Sequence, residues 1–181
     1  MGGFVFIKSD QVKKILLLSD THGCIDESIL KYVRQADEVW HAGDIGDLTV
    51  TDTIKAIKPL RGVYGNIDGT EARLEFPEEL IFDCEGMKVY MIHIGGYPGK
   101  YRTVVKDRIS REKPNIYICG HSHILKVQYD QMMGTLHLNP GAAGISGFHQ
   151  VRTMLRFTID NGNIKDMEVI EWPKNKKAEL T

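Results

Sequence analysis

Apolar residues in this chain come in short runs, and most runs end at a cluster of glycine, carboxylate, amide or imidazole side chains. Lys14-Ile15-Leu16-Leu17-Leu18 has the pattern of a strand buried on both faces, and Ser19-Asp20-Thr21-His22-Gly23 breaks it. Asp26 can cap a helix through Ile29, Leu30 and Val33, whose spacing makes one apolar face. Glu38-Val39-Trp40-His41 reads as a second strand ending at Ala42-Gly43-Asp44. A second helix is expected from Val50 to Ile57, stopped by Pro59. Val63-Tyr64 closes a third strand at Gly65-Asn66-Ile67-Asp68-Gly69.

The rhythm then changes. Glu79 to Cys84 and Lys88 to Ile92 flank Glu85-Gly86, which predicts an antiparallel hairpin running into His93. A helix from about Arg102 to Arg111 stops ahead of Pro114, and a strand from Asn115 to Cys119 runs into Gly120-His121-Ser122-His123. Strand-like segments follow at Ile124 to Tyr129, Thr135 to Leu138, Thr153 to Ile159 and Ile164 to Ile170, with Asn161-Gly162 as a hairpin turn. Strand–helix alternation followed by a strand-rich half predicts one α/β domain over residues 1–181, with a mixed sheet or two sheets face to face. Residues 1–12 read as an N-terminal arm, and residues 173–181 as a polar, lysine-rich tail.

With 42% hydrophobic and 26% charged residues the chain falls among ordinary soluble globular proteins. A net charge of -1 provides no basic field for extended nucleic-acid binding. Cys24, Cys84 and Cys119 are too scattered for a disulfide framework and read as reduced thiols. No apolar stretch approaches the roughly 20 residues that span a membrane, and the start carries no secretory signal. A cytoplasmic protein is expected.

The strand ends hold a ligand set. Asp20 and His22, Asp44, Asn66, His93, and His121 with His123 sit in five loops. Each element alone is weak, because aspartate, asparagine and glycine are ordinary turn residues. Gly120-His121-Ser122-His123 is sharper: in an extended segment, residues two apart point the same way, so both imidazoles would reach one site. Five such loops together are hard to ascribe to turn chemistry. Oxygen and nitrogen ligands without a thiolate suit hard-to-borderline divalent ions. His41, His137 and His149 follow no such pattern and read as structural or surface histidines.

This series resembles the calcineurin-like metallophosphoesterase family, and within it the small single-domain phosphodiesterase subgroup of bacteria and archaea. The likeness runs from Lys14 to Gly141 and includes the Asn139-Pro140-Gly141 turn. It implies two mixed β-sheets packed as a sandwich flanked by helices, a four-layer αββα arrangement. It also implies two divalent metal ions, Mn foremost, with Ni, Co, Fe, Zn or Mg as alternatives. One ion would take Asp20, His22, Asp44 and His123. The other would take Asp44, Asn66, His93 and His121, with Asp44 bridging at a spacing of roughly 3.5–4 Å. Two such ions outweigh the two carboxylates and leave a positive centre for an anionic phosphodiester. A metal-bridging hydroxide would attack phosphorus in line, with Asp44 and Asn66 as the catalytic pair.

Two departures qualify the likeness. Many family members carry histidine after the motif asparagine as general acid, and here that residue is Ile67. A missing general acid typically costs about 10²–10⁴-fold for poor leaving groups, so diesters with acidic leaving groups are the expected substrates. Asp68 is a candidate substitute or a simple turn carboxylate. After His93 comes Ile94, where the family often has glycine, and Ile94 threatens to displace His93 from the metal. Lys100 and Arg102, after the Gly95-Gly96-Tyr97-Pro98-Gly99 loop, are candidates for contacting phosphate alongside Asn66. The alternatives to a phosphodiesterase are a phosphomonoesterase with the same site, or a catalytically weak interaction scaffold such as the retromer subunit of this fold. A homodimer is expected by analogy with the subgroup.

Overall fold

The computed structural model describes residues 12–174. Of the expected N-terminal arm only Val12 is within this range, and of the expected tail only Pro173 and Lys174. Val12 and Pro173 belong to strands rather than to an arm and a tail. The order is β1 (Val12–Leu18), α1 (Glu27–Val33), β2 (Glu38–His41), α2 (Leu48–Lys55), β3 (Leu60–Gly62), α3 (Thr70–Glu75), β4 (Glu79–Cys84) and β5 (Met87–Ile92). A two-residue pair follows, β6 (Gly96–Tyr97) with β7 (Lys100–Tyr101), and then α4 (Thr103–Glu112) and β8 (Ile116–Ile118). The chain continues through β9 (Leu125–Asp130), β10 (Thr135–Pro140), β11 (Val151–Asp160) and β12 (Asn163–Pro173).

Two five-stranded mixed sheets form, in the orders β12-β11-β1-β2-β3 and β4-β5-β8-β10-β9. Strands β1, β2 and β3 are parallel to one another, and so are β5, β8 and β10. The short runs are continuously apolar because both faces of each sheet are covered. In β1, Ile15 and Leu17 pack into the core between the sheets with Trp40, Val89, Met91 and Ile118. Leu16 and Leu18 face the other way, against Ile29, Val33, Val50 and Ile54 of α1 and α2. Helix α4 covers the outer face of the second sheet through Val105 and Ile109, packed on Tyr90 and Tyr117. The layers are therefore helix, sheet, sheet, helix, as expected.

Local chemistry fixes the element ends. Asp26 caps α1 by accepting from the Ile29 amide at 3.2 Å. Glu85-Gly86 and Asn161-Gly162 both place two consecutive residues at positive φ, the requirement of a tight hairpin turn. The sequence reading missed α3 and the β6–β7 pair, which are too short to show a period. It also placed Val63-Tyr64 inside β3, which ends at Gly62.

Arg152 ties the far strand to the start of α1. Its guanidinium is 2% exposed and donates to Ala143 O at 2.6 Å and to Asp26 Oδ2 at 2.7 Å, with its plane over the Trp172 ring. Arg152→Met should therefore cost roughly 2–4 kcal/mol, because it strands a buried carbonyl and half of an ion pair. The readout is a fall in the urea midpoint at unchanged slope. Arg34→Ala, which breaks an ion pair at the surface with Glu27, should barely move it.

Two buried histidines set an acid limit. Burial pushes His41 and His137 down to about 4, in His137 with help from Lys126. Between about 6.5, the ordinary value, and about 4 the unfolded chain binds more protons than the folded one, so stability falls as pH drops through that window. Urea midpoints of the metal-free protein should decline steadily from pH 6.5 to 4.5. A flat profile would contradict the neutral state of both rings.

Candidate metal centre

The loops after β1, β2 and β3 meet the loops after β5 and β8 at one edge of the sandwich. Each carries a residue from the predicted ligand set. Of the nine non-glycine residues with positive φ among those described, five are Asp20, His22, Asp44, His121 and His123. Such left-handed backbone costs free energy in an ordinary residue and gathers where surrounding contacts impose it. The expectation that His121 and His123 lie on an extended segment is corrected by the structure, while their division between two ligand groups is the one the resemblance implied. Both have left-handed backbone in a bend, and they belong to different ligand groups.

Glycines let these loops close. A Cβ on Gly65 would lie 2.1 Å from Asp44 Oδ1, and one on Gly43 would lie 2.6 Å from the His93 ring. The glycines of the two Gly-Asp and Gly-Asn pairs are thus required by close approach. Asp68 draws the same loops together: its carboxylate accepts from the amides of Ile45 at 3.1 Å, Gly46 at 2.8 Å and Gly65 at 2.7 Å. It is 3% exposed, which makes it a structural clamp. The alternative role as a substitute proton donor is not supported.

The ligand atoms form two groups, Asp20 with His22 and His123, and Asp44 with His93 and His121, each within 4.8 Å. Asp44 lies between the two: Oδ1 is 3.2 Å from His93 Nε2 in its own group, and Oδ2 is 3.9 Å from His22 Nε2 in the other. Asp20 Oδ1 is 3.2 Å from His123 Nε2 and 4.0 Å from both His22 Nε2 and His93 Nε2. Its other oxygen accepts from the His121 amide at 3.1 Å. With Ile94 following it, the His93 ring lies in the Asp44 group.

Hydrogen bonds settle which nitrogens are free. His93 Nδ1 donates to Ala42 O at 2.7 Å, so Nε2 carries the lone pair in the neutral ring. His149 Nε2 donates to Gly144 O at 3.0 Å, leaving its Nδ1 to accept from His123 Nδ1 at 3.2 Å. His123 Nε2 is then also a lone pair, directed at Asp20 and 3.3 Å from His22 Nε2. Asp20 Oδ1 and His93 Nε2 are buried with no hydrogen-bond donor. Facing acceptors of this kind repel unless a cation lies between them. Burial would lower the pKa of His93, but the Asp44 and Asp20 carboxylates outweigh it and raise it. Asp44 is correspondingly held below the usual carboxylate value by His93 and the Ile67 amide, despite burial. Divalent ions fit the same donor set, and the orientation of His93 and His123 through their second nitrogens is the usual arrangement of a metal-binding histidine.

Sequence reasoning placed His41 and His149 together as structural or surface residues. His41 is structural: it accepts from the Gly43 amide at 3.2 Å and pairs with Thr21 Oγ1 at 2.9 Å beneath the loops. His149 is not incidental, because it fixes the tautomer of His123. No spacing rule pointed to it, since it sits 26 residues away in a loop with no strand before it. Asn66 is exposed and lines a recess of about 260 Å3 with His93, Arg73 and Glu78. Ile67 is 47% exposed and meets the site only through its amide, 3.1 Å from Asp44 Oδ1. Arg102 lines this recess and the larger one beside it, its Nη1 held by Ile94 O at 3.1 Å. Lys100 lines neither.

Known proteins share this architecture. A probable metallophosphoesterase of Methanothermobacter thermautotrophicus is 25% identical over 159 residues, spanning 85% of this chain and 90% of the relative. One from Mycoplasma pneumoniae is 28% identical over 161 residues, spanning 85% and 94%. Among solved structures, a Thermotoga maritima protein determined by solution NMR superposes with TM-score 0.66 at 26% identity, over 88% of this chain and 99% of its own. Vps29 of Entamoeba histolytica complexed with Zn2+ gives TM-score 0.67 at 17% identity, over 90% and 99%, a likeness of fold alone. The profile of the calcineurin-like phosphoesterase superfamily domain matches residues 14–162, and with two mixed sheets and the ligand loops at their common edge, the chain belongs to that superfamily.

Proposed function

We propose that the protein is a phosphodiesterase with two divalent ions at this centre, Mn foremost. The observation that carries the reading is a pair of adjacent ligand groups, with Asp44 of one 3.9 Å from His22 of the other and a buried acceptor in each that lacks any donor. Asp20, His22 and His123 would hold one ion and His93, His121 and Asn66 the other, with one oxygen of Asp44 facing each group. What bound divalent ions supply at such a site is acidification of water and neutralisation of charge on a phosphoryl group. The chain contributes orientation: His149 and Ala42 O aim the lone pairs of His123 and His93, and the Asp68 clamp holds the Asp44 and Asn66 loops in register. Arg102, the cation lining both recesses, is placed to meet a phosphate oxygen.

A diester is favoured over a monoester by the two recesses on either side of the Ile94–Arg102 contact, one for each ester group. Protonation of the leaving oxygen has no side chain assigned to it here. Ile67 has no proton to give, and the Asp68 carboxylate is occupied by three amides.

Two measurements test this reading. Metal-stripped protein given Mn, Ni, Co, Zn or Mg should hydrolyse bis-p-nitrophenyl phosphate faster than p-nitrophenyl phosphate. Asp44→Asn should lower kcat/KM by at least about 100-fold, the upper end of the cost of losing a group that merely supports a ligand. Preference for the monoester would move the assignment to a phosphatase, and metal binding without turnover of either would favour a scaffold. Across a series of diesters, kcat should also drop steeply as the leaving group becomes more basic. Ile67→His should flatten that slope by restoring a donor, raising the rate on alkyl esters by about tenfold or more.

A further inference from the structure

The larger recess opens beside His121 and Arg102 and has a volume of about 480 Å3, within the roughly 300–1,000 Å3 usual for small-molecule sites. Ile94, Tyr97, Ile124 and His137 give it apolar and aromatic walls. Tyr97 is presented by the β6–β7 pair and has the Lys126 ammonium 4.7 Å from its ring centre. Most polar groups on these walls are already engaged. The Asn139 amide donates to Gly120 O at 2.9 Å and to Ser122 Oγ at 3.1 Å.

His137 is different. It is 1% exposed, and its Nδ1 has no hydrogen-bond partner among the described residues. The ring stacks on Tyr117, with centroids 5.3 Å apart and planes at 26°, so its orientation is fixed. Burial pushes it down to about 4, so it is neutral at physiological pH and offers one donor and one acceptor. Leaving a buried polar atom unpartnered is unfavourable, and a ligand heteroatom would remove that cost. An aliphatic ester group would not.

We propose that this recess receives a planar heteroaromatic substituent of a phosphodiester, such as the base of a nucleoside ester, with the phosphorus at the Asp44, His93 and His121 group. Tyr97 and Ile124 supply the faces that cover the ring, and His137 supplies the hydrogen bond that distinguishes a heterocycle from a hydrocarbon. The proposal rests on the phosphodiesterase reading for its phosphorus position, and it names the substrate class of that same site.

The test compares two diesters that release the same p-nitrophenolate, the p-nitrophenyl ester of thymidine 5′-phosphate and methyl p-nitrophenyl phosphate. The readout is the ratio of their kcat/KM values. In the natural protein the thymidine ester should be favoured about tenfold or more, the scale of one base–aromatic stack. Ile124→Trp, which fills the recess from an exposed position, should bring the ratio to within about twofold of one. His137→Phe should lower it while keeping the stack on Tyr117. A ratio near one in the natural protein, or a ratio that neither substitution changes, overturns the proposal while leaving the phosphodiesterase reading intact. If neither ester is cleaved with any metal, the phosphodiesterase reading fails and calorimetry on the metal-loaded protein decides the recess separately. Thymidine 5′-monophosphate should then bind about tenfold tighter than methyl phosphate, an advantage lost in Ile124→Trp. Equal binding of the two overturns the proposal.

Discussion

Asp20 Oδ1 and His93 Nε2 lie 4.0 Å apart, buried, and neither meets a donor. They come from loops after β1 and β5, which belong to different sheets. In a protein interior two such atoms left facing each other are unfavourable, and a cation between them reverses the sign. Much else at this edge of the sandwich serves to hold them there. The strand cores supply rigidity, the Gly43 and Gly65 approaches allow the loops to close, and the left-handed backbone at five ligand positions turns the side chains inward.

Rigidity comes from groups that never touch the reacting space. Asp68 gathers three amides, His41 and Thr21 pair beneath the Asp44 loop, and Arg152 reaches from β11 to the Asp26 cap. Each satisfies polar groups that the tight loops would otherwise leave stranded, so the same bonds that stabilise the fold also set the geometry of the ligands. This explains why two carboxylates, Asp44 and Asp68, separated by little in space, do different things. Asp68 is engaged by three backbone donors, while Asp44 accepts one amide and keeps lone pairs facing the ligand groups.

How far the sequence revealed this depends on the kind of signal. The buried strands were legible because their apolar runs are continuous, and the ligand loops because they fall at strand ends, a position that the topology of parallel strands makes meaningful. Residues without such a frame were not. His149 lies in an irregular loop, and its pairing with His123 follows only from tertiary packing. The left-handed bend at His121 and His123 was misjudged for the same reason: alternation applies to extended chain, and the chain stops being extended at Gly120. The β6–β7 pair is two residues per strand, below the length at which any period can be read.

The division of labour within the fold bears on where specificity resides. The ligand loops are crowded to the point that a single methyl group at Gly65 or Gly43 would collide, so there is little room there for adjusting to one substrate or another. The walls of the larger recess are built otherwise. Ile124 and Tyr97 are 65% and 40% exposed, and they stand on a loop and a two-residue strand that the core does not constrain. Changes there leave the buried acceptors and their clamps in place. The crowded centre and the exposed recess walls therefore differ in how much change each can absorb, and His137 Nδ1 is the wall atom left without a hydrogen-bond partner among the described residues.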